Sequence, residues 1–156
     1  MSKDGKKGEE ITVFVEQSFD YSHFLPESDK CFPLHGHTSL VTLEIRGSLN
    51  SSGMVIDFGD AKRLLGNVLQ LLDHKLVTNK RYAEKSDKGL LIKYKDFEFY
   101  LPADQVFLID GEGTSENIAL AISCQLLEKM PGNVGSIKLT LTEGLRKGTV
   151  VEKRRW

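Results

Sequence analysis

The chain has few of the residues that staple small secreted folds. Its 156 residues include two cysteines, Cys31 and Cys124, far apart in the sequence. That is too few for a disulfide framework and fits a reducing compartment. No run approaches the roughly 18 apolar residues of a membrane span, and the opening MSKDGKKGEE lacks the apolar stretch of a signal peptide. Residues 1–10 are expected to form a disordered tail and the protein to be cytoplasmic. An excess of either charge is also missing: 21 basic against 22 acidic residues give a net charge of -1. No global field favours nucleic acid or an anionic membrane, so any anion site must be local.

What the chain does have is an ordinary globular balance, 40% hydrophobic and 28% charged, in a length suited to one domain. Ile11 to Phe19 and Leu40 to Arg46 alternate apolar and polar residues, the period of half-buried strands. The segment between them holds two prolines and reads as a long ordered connection. Asp57 can cap a helix from Phe58 whose apolar face is Ala61, Leu64, Leu65, Val68, Leu71 and Leu72, ending near Asp73 and His74. Residues 78–110 read as an insertion containing a strand pair. A second helix starts at Thr114 or Ser115 and stops at Pro131-Gly132, with Cys124 expected as a small core residue. Ser136 to Thr142 and Gly148 to Lys153 supply two last strands. This order predicts an α+β fold over 11–156, an antiparallel sheet covered by two helices, whose open edges favour pairing between subunits.

Three of the four histidines, His23, His35 and His37, crowd into fifteen residues. In extended chain, residues two apart point the same way, so His35 and His37 of the HGH triplet aim at one place, and Gly36 removes bulk between them. With His23 they make the three-histidine set of a catalytic zinc site whose fourth position is open. Cys31 stands nearby. It is either a fourth ligand closing the site or a thiol beside the metal, acidified enough to act as a base near neutral pH.

The successive stretches SFDYSHFLP, CFPLHGH, LLDHKL, TSENIALAI and LTEG resemble the motifs of the 6-pyruvoyl-tetrahydropterin synthase and 6-carboxytetrahydropterin synthase family. The resemblance implies the tunnelling fold (T-fold), a four-stranded antiparallel sheet with two helices on one face. It also implies a ring-like homo-oligomer, a tetramer or hexamer, with the active site near a subunit interface. Zn2+ would be held by His23, His35 and His37, with Cys31 as proton acceptor and Asp73 with His74 as a relay. A histidine at a helix C-terminus also needs no catalytic explanation. Glu143 would anchor the pterin ring and take part in the relay, with Thr114 and Ser115 as further ring contacts. The threonine that follows this glutamate in the family is Gly144 here.

The substrate so implied is 7,8-dihydroneopterin triphosphate, with Lys30, Lys75, Lys80, Arg81 and Arg146 as unranked cations for its phosphates. The three-residue spacing between Cys31 and His35 resembles the 6-carboxy-5,6,7,8-tetrahydropterin synthases that serve queuosine and other 7-deazapurines. The alternative product is 6-pyruvoyl-tetrahydropterin, an aldolase-type reaction occurs on related folds, and a lesser alternative is a zinc-binding T-fold protein without turnover.

Overall fold

The computed structural model describes residues 8–155. Most of the expected tail, 1–7, lies outside the described residues, and Glu10 at its end pairs with Arg46 at 2.7 Å. Strands β1 (Ile11–His23) and β2 (His35–Gly47) run antiparallel in unbroken register, from Ile11 opposite Gly47 to His23 opposite His35. Both are longer than their alternating cores suggest, so the histidines stand on strands and only residues 24–34 form the connection.

Helix α1 (Phe58–Leu69) is capped by Asp57, whose carboxylate accepts from the Asp60 N–H at 3.1 Å. It stops sooner than predicted, and turns carry the chain through Asp73 and His74. Leu72 is still fully buried, but Leu71 falls outside the helix and is exposed. Strands β3 (Lys75–Asn79), β4 (Ala83–Ser86), β5 (Gly89–Tyr94), β6 (Phe97–Leu101) and β7 (Val106–Ile109) follow. Helix α2 (Ser115–Leu127), capped by Thr114, then leads to β8 (Val134–Thr142) and β9 (Gly148–Arg154).

The main sheet has six strands in the order β7-β3-β1-β2-β8-β9. Its antiparallel part, β1, β2, β8 and β9, is the expected four-stranded unit. The count is corrected by β3 and β7, which extend the β1 edge in parallel. Their short apolar runs carry no alternation: β3, inside the sheet, is buried on both faces, and the four-residue β7 at the edge is too short to show a period. The remaining strands form a separate three-stranded sheet, β4-β5-β6.

One core joins Val15 and Phe19 of β1, Val41 and Leu43 of β2 and Leu139 of β8 to Leu65 of α1 and Ile122 of α2, so both helices cover the same face. Truncating a fully buried leucine here costs about 2–5 kcal/mol. Cys124 does not belong to this core and is exposed. On α2 the inward face is Ile118, Ala119, Ile122, Ser123 and Leu126, so Ser123 occupies the buried position. A second core surrounds Phe24, Leu76, Tyr82 and Ile92 beneath the small sheet.

Candidate active site

The β1–β2 register sets His23 directly opposite His35 and Tyr21 opposite His37. Opposed residues of an antiparallel pair share a face, so the three imidazoles converge. Their ring centroids are 4.6, 5.0 and 4.8 Å apart, and a ring nitrogen of each lies within 4.8 Å of the others.

Two of the rings are fixed by backbone carbonyls. Gly113 O lies 2.7 Å from His23 Nδ1, and Pro33 O lies 2.6 Å from His35 Nδ1. A carbonyl only accepts, so both Nδ1 atoms carry the proton. In the neutral rings the Nε2 lone pairs then face each other at 3.0 Å. His37 Nε2 is buried without a hydrogen-bond partner, and the nearest charge is Glu143 Oε1 at 3.5 Å. Burial is the main force pushing the pKa of His23 below the ordinary histidine range, and it acts the same way on His37. These two rings therefore favour the neutral imidazole, the ligand form.

These residues fit a metal ion. Tetrahedral zinc with Zn–N bonds of about 2.0–2.1 Å holds its nitrogens about 3.3 Å apart, and ligating histidines usually donate their other N–H to a carbonyl or carboxylate. The Cys31 sulfur is not among the converging ligand atoms. It stands partly buried on the connecting loop, which closes on itself through Leu25 N–H to Cys31 O at 2.8 Å and Phe32 N–H to Ser28 O at 2.8 Å.

Glu143 ends up against this centre because β8 pairs with β2 and the β8–β9 turn closes by Glu143 N–H donating to Lys147 O. Lys147 Nζ is 3.9 Å from the carboxylate. Gly144 has φ +64°, a left-handed value that glycine adopts without strain and that the threonine expected from the resemblance would adopt only with strain. Thr114 Oγ1 accepts from Asn117 N–H at 3.3 Å, and Ser115 Oγ shares a 2.8 Å bond with Thr149 Oγ1.

Asp73 and His74 form a pair at 3.0 Å, but with Asp20 they make a second cluster, separate from the trio. The His74 side chain is 76% exposed. It is not the cap of α1, which ends at Leu69 with Gln70 as its C-cap. Among the proposed phosphate cations, Lys80 is paired with Asp110 and Arg81 with Glu112.

Three contributors are not evident from the sequence. Tyr21 is buried between His23 and His37 with its hydroxyl unpartnered, and burial together with the charge of Glu143 pushes its pKa above the ordinary range, so it remains an O–H donor. Gly113 lies where an added Cβ would come within 2.6 Å of Val77 O, so only glycine lets its carbonyl reach His23. Glu112, next to it, receives Arg81 Nη2 at 2.7 Å, Tyr82 Oη at 2.9 Å and Asn79 Nδ2 at 3.1 Å, which pins the loop. The signals are scattered over distant stretches with no shared periodicity.

A T-fold sheet carrying an inward three-histidine centre that can hold a metal defines the class of enzyme. Residues 12–154 match the family described as 6-pyruvoyl tetrahydropterin synthase, and the chain belongs to that family of lyase-type enzymes. A Pyrococcus abyssi protein provisionally named 6-carboxy-5,6,7,8-tetrahydropterin synthase is 35% identical over 137 residues, covering 86% of this chain and 85% of that one. The dihydroneopterin monophosphate aldolase of Pyrococcus furiosus is 28% identical, covering 90% and 96%. A catalytic-residue variant of Plasmodium vivax 6-pyruvoyltetrahydropterin synthase superposes with a TM-score of 0.83 at 25% identity, covering 94% and 99%. The three names describe three reactions on one scaffold.

Proposed function

We propose that the protein is a zinc-dependent, cytoplasmic synthase that converts 7,8-dihydroneopterin triphosphate to 6-carboxy-5,6,7,8-tetrahydropterin, a step toward queuosine or other 7-deazapurines. The observation that carries a metal-dependent reading is the 3.0 Å approach of His23 Nε2 to His35 Nε2, both rings turned by carbonyls on their Nδ1 atoms, with His37 Nε2 unpartnered beside them among the described residues. The choice of product is supported by the Cys31-to-His35 spacing and by the Pyrococcus abyssi relative, the more similar of the two sequence relatives.

In this reading His23, His35 and His37 hold zinc, which when bound polarises the side-chain oxygens of the substrate. Glu143 accepts hydrogen bonds from the ring N–H and amino group of the pterin, fixing its orientation. Thr114 and Ser115 border the ring from the start of α2. Cys31, on its loop outside the ligand set, removes and returns the side-chain proton as thiolate. Asp73 and His74 complete the proton relay from a neighbouring subunit, since within one chain they form a separate cluster. The backbone edges of β7 and β9 are unpaired among the described residues, which suits a ring of subunits.

Incubating the zinc-loaded protein with dihydroneopterin triphosphate and identifying the pterin is the direct test. A 6-carboxy product with acetaldehyde release is expected. A 6-pyruvoyl or aldolase product would replace the reading by another reaction of the scaffold, and no turnover would favour a zinc-binding protein without catalysis. Cys31→Ala should keep its metal and lose turnover; if it loses the metal instead, the thiol is a ligand.

A further inference from the structure

The small sheet β4-β5-β6 is absent from the expected four-stranded unit, yet its rings reach both ends of the loop that carries Cys31. Phe24 follows the ligand-forming His23 at one end of that loop, and Phe32 follows Cys31 at the other. Phe97, the first residue of β6, has its ring centroid 5.1 Å from Phe24 and 6.1 Å from Phe32. Tyr94, the last residue of β5, lies 5.8 Å from Phe32 in an edge-on arrangement. Tyr94 and Phe97 are paired across the hairpin turn at Lys95 and Asp96, so one rigid two-strand element presents both rings.

The anchoring is not uniform along the loop. Phe24 is 1% exposed and lies in the second core, whereas Phe32 is only partly buried and docks from outside. The backbone bonds of the loop are internal, Leu25 to Cys31 and Phe32 to Ser28. They hold the loop's shape, and among the described residues the loop's one backbone contact beyond itself is Pro33 O with the His35 ring. Apart from its two ends on β1 and β2 and the Pro33 O contact with His35 Nδ1, the loop's placement depends on the aromatic contacts, which add to the stabilisation from buried area.

We infer that Phe97, with Tyr94 and Phe32, is a positioning device that staples the Cys31 loop so that its thiol stays at a fixed place beside the histidine centre. The inference rests on the reading of Cys31 as the acid/base. The small sheet then serves the site without contributing an atom to it. A ring lost from the staple leaves the histidines gathered, because all three stand on the β1–β2 register and His23 is held by Gly113 O from outside the loop; only the Pro33 carbonyl on His35 belongs to the loop itself.

The test uses a Cys124→Ser background, which leaves Cys31 as the only thiol, and measures iodoacetamide alkylation together with steady-state kinetics on the metal-loaded full chain. Phe97→Ala is expected to raise the alkylation rate of Cys31 about three- to tenfold, as a loosened loop opens more often. It should lower kcat about 10- to 100-fold, with KM and metal content near wild type, since misplacing a reacting group by about an ångström has that effect. Phe97→Tyr, which keeps the ring, should restore both. If Phe97→Ala does not fold, Phe32→Leu makes the same test from the loop side. Wild-type alkylation and kcat in either folded variant, or a change in only one of the two, overturns the staple. The acid/base reading fails separately: turnover by Cys31→Ala would remove it, while the alkylation rate would still report whether the rings hold the loop.

Discussion

Two polar clusters stand near the end of β1, a trio of histidines on the core side and a set of two aspartates with one histidine beside Asp20. His23, His35 and His37 are gathered by strand register, two of them are locked by carbonyls, and burial keeps His23 and His37 neutral. Asp20 alternates away from His23, and its N–H donates to Asp73 Oδ1 at 3.0 Å, which in turn holds the exposed His74. A buried, uncharged cluster suits a cation that replaces lost hydration. An exposed carboxylate–imidazole pair suits proton exchange with solvent or with a second molecule. The same residue types therefore have different uses because they differ in burial and in what fixes the ring.

The comparison can be broken most strongly at the trio. His35→Ala should weaken metal binding by at least about a hundredfold, as a three-ligand site becomes a two-ligand one, measured by chelator competition. If Glu143 anchors the pterin as proposed, Glu143→Ala should leave the metal in place and weaken pterin binding about 10- to 100-fold, the loss expected for charge-assisted hydrogen bonds, with a melting temperature near wild type. Glu112→Gln touches neither ligand nor substrate, but it loosens the loop that sets Gly113 O against His23. It should cost about tenfold in metal affinity, in the range typical of residues that orient ligands.

The smallest effect tests the other cluster. The Asp20 N–H, followed by His74, holds the Asp73 carboxyl below the ordinary carboxylate range. A depressed folded pKa gives stability that is present above the unfolded value of about 3.9 and lost as pH falls through the folded one. Asp73→Asn should therefore flatten the acid limb of the stability curve while leaving metal affinity unchanged. A metal affinity that moved with Asp73 would show that the two clusters are not independent.

Much of the site was legible along the chain because strand geometry is local. Residues two apart share a face, so HGH places two imidazoles together wherever the strand lies. The caps Asp57 and Thr114 were equally readable, since a cap is set by residues three apart. The parallel strands β3 and β7 were not, because β3 is buried on both faces and β7 spans only four residues, so neither shows a period. Cys124 was misplaced by a similar gap: α2 is apolar nearly all round, so composition does not say which turn faces the sheet.

The converging histidines, the capped helices and membership of the family can be read along the chain, since each rests on residue type at short spacing. What holds them in place depends on how the chain folds back on itself. Gly113 meets His23 across 90 residues of chain. Phe97 reaches Phe24 and Phe32 from a different sheet, and Glu112 is tied to Arg81 and Tyr82 from the far side of the insertion. The path of the chain sets such contacts, and that path follows from burying two cores at once, which no local pattern records.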